Sequence, residues 1–243
     1  MRQSLVLLRF TLGELLAGRR LPIVAVLVAL PLWLPSLLAP NSGQDPTTFS
    51  LELFRNLTLP VLLPLVSLTF STAALGTELR RGTIANLMLK PVPRWSVLGT
   101  EYLAAVLATL LVLLPSELVA HVLAARGLGS TILLEGVLVA TVVGALAYCA
   151  LGLLLSLLFS RALLVGLVYA LLWEGGVVGV APSASSLSVR GYVEGVLGAI
   201  LDRGGGPELD ARLGPLSATV LALVVTLVAL GLARRRLGRM DLP

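Results

Sequence analysis

Residues 136–160 read GVLVATVVGALAYCALGLLLSLLFS, a run of 25 positions without a charged side chain. A helix crosses the hydrocarbon of a bilayer with about 20 mainly apolar residues, so this stretch is long enough to span. The rest of the chain agrees with a membrane reading. Of its 243 residues 57% are hydrophobic and only 13% charged, against about 25% charged in a soluble domain. A water-soluble core cannot absorb that much apolar surface, and lipid can.

Working outward, uncharged runs of spanning length also occupy Leu21 to Ala39, Leu57 to Leu75 and Leu213 to Ala233. Two further runs, Leu98 to Ala125 and Ala162 to Pro182, are as apolar but hold ionisable groups, Glu117 with His121 in the first and Glu174 in the second. Left as loops they would strand long apolar stretches in water, and in lipid only helices or closed barrels satisfy the backbone. The expectation is an all-α integral membrane protein of six transmembrane helices, forming a single domain over 1–243.

Orientation follows from the basic residues. Arg2, Arg9, Arg19, Arg20, Arg80, Arg81, Lys90, Arg94, Arg161, Arg234, Arg235, Arg236 and Arg239 fall on one side, which makes 13 of the 18. Arg55, Arg126, Arg190, Arg203 and Arg212 fall on the other. The positive-inside rule makes the first side cytoplasmic. Both termini are then cytoplasmic, which needs an even number of crossings and places a multi-pass protein in a bacterial-type inner (plasma) membrane. The net charge of +5 is explained by this bias rather than by nucleic acid, for which interleaved basic and aromatic stripes are missing. The one cysteine, Cys149, lies within an apolar run and can form no internal disulfide. Leu21 to Ala39 is too long for the apolar part of a cleaved signal, and Pro31 and Pro35 interrupt it.

Two segments outside the spans are patterned. Over 1–20, Leu5, Leu8, Leu12, Leu15 and Leu16 recur at helical spacing opposite Arg2, Arg9 and Arg20. This predicts an amphipathic helix at the cytoplasmic interface, with a cytoplasmic extension of the first span as the alternative. Over 183–212, an apolar stripe of Val189, Val193, Val196, Leu197, Ile200 and Leu201 ends at Gly204, Gly205, Gly206 and Pro207. A helical hairpin on the outer face is expected there.

The loop from Glu78 to Glu101 reads ELRRGTIANLMLKPVPRWSVLGTE. Gly82 and Thr83 supply a break and an N-cap, Ile84, Leu87 and Met88 make an apolar face, and Pro91 and Pro93 end the helix. A short helix held off the membrane by Arg and Lys suits docking into a groove of a soluble partner. The bland alternative is a basic, solvated turn.

With Glu78, Gly82, Thr83, Leu87, Pro91, Arg94, Leu98 and Gly99 at these positions, the chain resembles the permease subunits of type-2 (ABC-2) ATP-binding-cassette transporters. The resemblance extends to six spans, the basic N-terminal helix and the outer hairpin. Thr100 and Glu101 depart from it, because the family often has Lys directly after that glycine. The resemblance implies an exporter with two permease chains, as a homodimer or pseudo-homodimer, and two separate ATPase subunits. ATP and magnesium would sit on the ATPase. Glu78, Arg80, Arg81, Gly82, Thr83, Ile84, Leu87, Pro91 and Arg94 would form the cytoplasmic coupling helix and its flanks, within the loop 79–97. Trp173, Glu174, Ser67 and Thr72, on the second and fifth spans, would line the substrate pathway.

The chain itself offers no nucleotide site, since a P-loop needs Gly-Lys-Ser/Thr and the only lysine, Lys90, stands between Leu89 and Pro91. One histidine excludes di-histidine metal sites within the chain, and no Gly-x-Ser-x-Gly elbow accompanies Ser116 and His121. No catalytic residue and no metal ligand is assigned. Glu117 and His121, four apart on one helical face, either contact substrate or relay a proton, or pair with each other near Arg126; the nearby end of the span favours pairing. Glu174 is either a substrate contact or a structural carboxyl bonded to a neighbouring helix. Pro31 with Pro35 and Pro60 with Pro64 kink the first two spans, as hinges or as fixed bends. The alternative class is a secondary transporter or other six-span protein not driven by ATP, which would depend on Glu174 or Glu117; six spans are few for it, and internal repeats are not evident beyond the proline pairs. The substrate is not named by the sequence; the apolar spans lean towards hydrophobic drugs, lipids or lipidated peptides.

Overall fold

The computed structural model describes residues 2–17, 22, 24–26, 28–29, 33, 45–81, 94–125, 130–177, 182–209 and 211–239. Among these residues the regular elements are all helical. Helix α1 (Arg2–Ala17) is followed by α2 (Pro46–Leu53), which continues through a π-helical segment π1 (Phe54–Leu62) into α3 (Leu63–Arg81). Then come α4 (Arg94–Ala125), α5 (Thr131–Leu158), and α6 (Ala162–Val168) running into a second π-helical segment π2 (Tyr169–Val177). A 3-10 turn (Pro182–Leu187), α7 (Val189–Gly204) and α8 (Pro215–Gly238) complete the order.

Four helices among the described residues are long and apolar enough to cross a membrane: Pro46–Leu75, Trp95–Ala124, Thr131–Leu158 and Pro215–Gly238. The other two expected spans differ. Leu21 to Ala39 falls largely outside the described residues, though 22, 24–26, 28–29 and 33 are helical. The run from Ala162 gives a shorter apolar helix, Ala162–Glu174, because it passes into π2 and its far end, 178–181, is outside the described residues. The second spanning helix also begins 11 residues before Leu57, at Pro46. Asp45 and Pro46 start it, proline being well suited to the first helical position where its missing N–H is no loss. The exposed Asp45 carboxylate accepts the Thr47 hydroxyl, which holds its carboxyl below the usual value.

Pro60 explains the first π segment. It lacks an N–H and its ring collides with the preceding turn of an α-helix, and the wider π turn accommodates it, with Leu63 N–H donating to the Thr58 carbonyl. Pro31 and Pro35 lie outside the described residues.

Helix α5 is the hub, packing on α3, α4, α6, α7 and α8. Ser130 caps it, accepting from Leu133 N–H at 3.3 Å. Leu133, Ala140, Ala145, Ala147, Tyr148, Cys149, Ala150 and Leu153 are fully enclosed. Its glycines recur every eight residues, each about 80° further round the helix, and the neighbour they admit changes accordingly. A Cβ on Gly136 would stand 2.8 Å from Leu197 Cδ1 of α7, one on Gly144 3.0 Å from Val193 Cγ2 of α7 and closer still to Leu63 of α3, and one on Gly152 3.0 Å from Ser71 Cβ of α3. Close approach of backbones through small residues is how helices gain dispersion contacts in lipid, where the hydrophobic effect between helices is lost.

Helix α8 presents one narrow stripe, Ala218, Ala222, Ala229, Ala233 and Leu237, to the bundle. Its remaining face, including Leu216, Leu223 and Leu227, is exposed and apolar, as a lipid-facing surface requires. Helix α7 ends where Gly205 adopts φ +64° and Gly206 N–H bonds back to the Leu201 carbonyl at 2.9 Å, a glycine-dependent helix stop. Its buried stripe is Val189, Val193, Val196, Leu197 and Leu201.

Gly144→Leu is expected to lower the midpoint of thermal unfolding in detergent, since overpacking a tight contact costs about 1–3 kcal/mol. Gly231→Leu on α8, where a Cβ meets nothing within 4 Å, should leave it unchanged. Equal losses in the two variants would contradict a core organised on α5.

Candidate functional site

Glu174 stands in π2 and is 3% exposed. Its carboxylate accepts the hydroxyl of Tyr148, itself fully buried on α5. The other oxygen accepts Val189 N–H at 3.0 Å, in the first turn of α7. A carboxylate there meets an orphan donor and the positive end of the α7 dipole together. Beside it Trp173 Nε1 donates to the Leu187 carbonyl at 3.3 Å and Tyr169 Oη to the same carbonyl at 3.5 Å. Tyr192 Oη donates to the Ser186 carbonyl at 2.7 Å, and Ser188 caps α7 by accepting from Gly191 N–H at 3.3 Å. Trp173 and Glu174 therefore converge on the backbone of 187–189, holding the entry to α7.

Ser67 and Thr72 lie on α3, away from that cluster in their bonding. Thr72 Oγ1 donates to the Leu68 carbonyl at 2.7 Å, and Ser71 Oγ to the Ser67 carbonyl at 2.7 Å. Cys149 Sγ is 3.8 Å from the Ser67 carbonyl and 3.6 Å from Thr109 Oγ1, so the seam between α3, α4 and α5 is lined with small polar atoms. The Ser67 hydroxyl is enclosed, and among the described residues it has no hydrogen-bond partner that meets ordinary geometry.

On α4, Ser116, Glu117 and His121 reach three different neighbours. Ser116 Oγ donates to the Val28 carbonyl at 3.1 Å. Thr141 Oγ1 of α5 lies 2.8 and 2.9 Å from the two oxygens of Glu117, and His121 Nδ1 is 2.8 Å from Ser50 Oγ of α2. Glu117 and His121 are each 4% exposed. Arg126 lies outside the described residues. At the other end of the helix Glu101 accepts Thr11 Oγ1 of α1 at 3.1 Å, tying down the N-terminal helix. Glu101 follows Thr100, the position directly after Gly99 at which the sequence departs from the family it resembles, and this contact gives its carboxylate a local use.

Of the coupling segment, Gly82, Thr83, Ile84, Leu87 and Pro91 lie outside the described residues. Glu78, Arg80 and Arg81 occupy the last turn of α3, and Arg94 opens α4. Among the described residues no group of three or more His, Cys, Asp or Glu side chains is gathered to hold a metal.

Sequence reasoning missed Tyr148, Thr141, Ser50 and Thr11 as partners. Tyr148 carried a signal, being the one phenol inside an otherwise unmarked apolar run; a buried tyrosine hydroxyl needs an acceptor. The other three are ordinary hydroxyls that only the packing distinguishes.

The family model described as ABC-2 family transporter protein matches residues 16–183. No curated protein matches the chain by sequence.

Glu174→Ala leaves the Tyr148 hydroxyl and Val189 N–H without an acceptor, at about 1–3 kcal/mol for each buried group. The expected outcome is a lower unfolding midpoint together with faster tryptic cleavage at Arg203 and Arg212, which are exposed near the end of α7 and the start of α8. Glu174→Gln, which keeps an acceptor, should lose less. Wild-type stability and cleavage in Glu174→Ala would show that the carboxylate does not hold α7.

Proposed function

Because the chain belongs to the ABC-2 transporter family, and so is a membrane permease subunit of an ABC transporter, we propose that it works as the transmembrane half of an ATP-driven exporter powered by a separate soluble ATPase. The observation that carries this reading is the extent of the family match, which runs from residue 16 to residue 183 and so takes in the Glu78 to Glu101 loop and three of the four spanning helices. The missing P-loop is consistent with it, since hydrolysis and the bound ATP and magnesium then belong to the partner.

In this reading six helices cross the membrane, both termini face the cytoplasm, and two permease chains assemble with two ATPases. The segment Ile84 to Arg94 is the mechanical contact. Ile84 and Leu87 enter a groove on the ATPase, Pro91 ends the docking helix, and Glu78, Arg80, Arg81 and Arg94 frame it with charge. Gly82 and Thr83 start the helix by breaking and capping the chain. Closure of the ATPases then moves α3 and α4, which flank the loop, as rigid levers. The second and fifth helices form the substrate route, with Ser67 and Thr72 along it. Glu174 and Trp173 serve that route by fixing the outer segment against α5 rather than by gripping the solute.

Replacing both Ile84 and Leu87 by Asp is expected to weaken association with the ATPase by about 2 kcal/mol or more, roughly thirtyfold, as for central residues of an interface. ATP-dependent efflux should fall with it while membrane insertion stays normal. Complex formation and efflux at the wild-type level in the double variant would refute the coupling role.

A further inference from the structure

Arg55 stands in π1, two residues before the uncharged run that starts at Leu57. Its Nε is buried, and among the described residues it meets no acceptor. The residue as a whole is half-buried, with Phe54, Thr58 and Leu59 enclosed beside it. π1, the segment that carries the arginine, packs against π2 and against α7.

The acids of the neighbouring elements are already engaged. Glu174 takes Tyr148 and Val189, and Glu194 takes Arg190 at 3.0 Å. Glu52, three residues back, is exposed and makes no ion pair with Arg55 among the described residues. An unpaired charge half out of water is expensive, and ionisable groups at membrane depth are retained where they serve a partner. The planar fork of arginine matches the oxygens of a phosphate better than any other side chain does. The spanning helix starts at Pro46, but its uncharged part from Leu57 to Leu75 is by itself about long enough to cross the hydrocarbon, which leaves Arg55 at the depth of headgroup phosphates.

We propose that Arg55 is a receptor for a phosphate-type oxyanion bound at the membrane boundary beside π1. The anion meets the half-buried guanidinium from the membrane boundary and neutralises its charge, and the site needs neither ATP nor the ATPase.

The full-length chain in mild detergent is offered phosphatidylglycerol or phosphatidylcholine, and separately inorganic phosphate against sodium chloride of equal ionic strength. Retained lipid is read by native mass spectrometry and stability by the unfolding midpoint. Wild type should retain phosphatidylglycerol in preference, and Arg55→Gln should lose that preference about tenfold, the scale of one charge-assisted hydrogen bond. Arg55→Lys, which keeps the charge without the fork, should fall between. Preference for phosphatidylglycerol that depends on Arg55 identifies a lipid headgroup; stabilisation by inorganic phosphate that depends on Arg55, with no lipid preference, identifies a free phosphate. Should Arg55→Gln not fold, Arg55→Met replaces it. Equal lipid retention and equal phosphate response in wild type and a folded charge-removing variant overturn the proposal.

Discussion

Everything in this bundle hangs on how closely other helices can approach α5. In lipid, apolar side chains gain little by leaving their surroundings for one another, so helices associate through backbone proximity and through polar contacts. Gly136, Gly144 and Gly152 create that proximity at three heights, and the drift of their positions around the helix hands the contact from α7 to α3. The alanines between them fill the remaining face. Helix α8 adds its own alanine stripe from the other side. Two neighbours that do not follow each other in sequence, α3 and α7, are thereby fixed to one axis.

The buried polar groups work at the joints of this arrangement. Thr11 with Glu101 joins α1 to α4, Thr141 with Glu117 joins α4 to α5, Ser50 with His121 joins α2 to α4, and Glu174 joins π2 to both α5 and α7. Each is a seam between different elements, with a hydroxyl or backbone N–H meeting the ionisable group. Hydrogen bonds of this kind cannot be exchanged for water inside the bilayer, which makes them position-specific where apolar packing is tolerant. A protein that must move helices during transport gains from having its fixed joints marked in this way and its lipid-facing surfaces left smooth. The structure assigns α8 and the exposed face of α4, with Leu103, Leu107 and Leu111, to that smooth class.

Much of this was legible in the residues. The uncharged run 136–160 identified α5, and the Gly204 to Pro207 cluster identified the end of α7, because glycine and proline act locally on the backbone. What escaped was non-local. Nothing near Glu174 in sequence points to Val189 N–H, and only the packing brings partners to both oxygens of that carboxylate. Asp45 and Pro46 carry a helix start, but Glu52 and Arg55 interrupt the apolar pattern between it and the uncharged run from Leu57. The π turn at Pro60 follows from the same chemistry as the expected kink, with the helix widening to absorb the proline. Composition is blind to the change of helical pitch within the fifth run.

The central claim is that the loop between α3 and α4 transmits the work of a separate ATPase to this bundle. A photo-crosslinking residue at Leu87, activated in membranes containing the ATPase subunit, tests it with the least interpretation. The account predicts a crosslinked permease–ATPase adduct from position 87, and none from position 223 on the apolar exposed face of α8. Adducts from neither position, or from 223 alone, in a correctly inserted protein would contradict it.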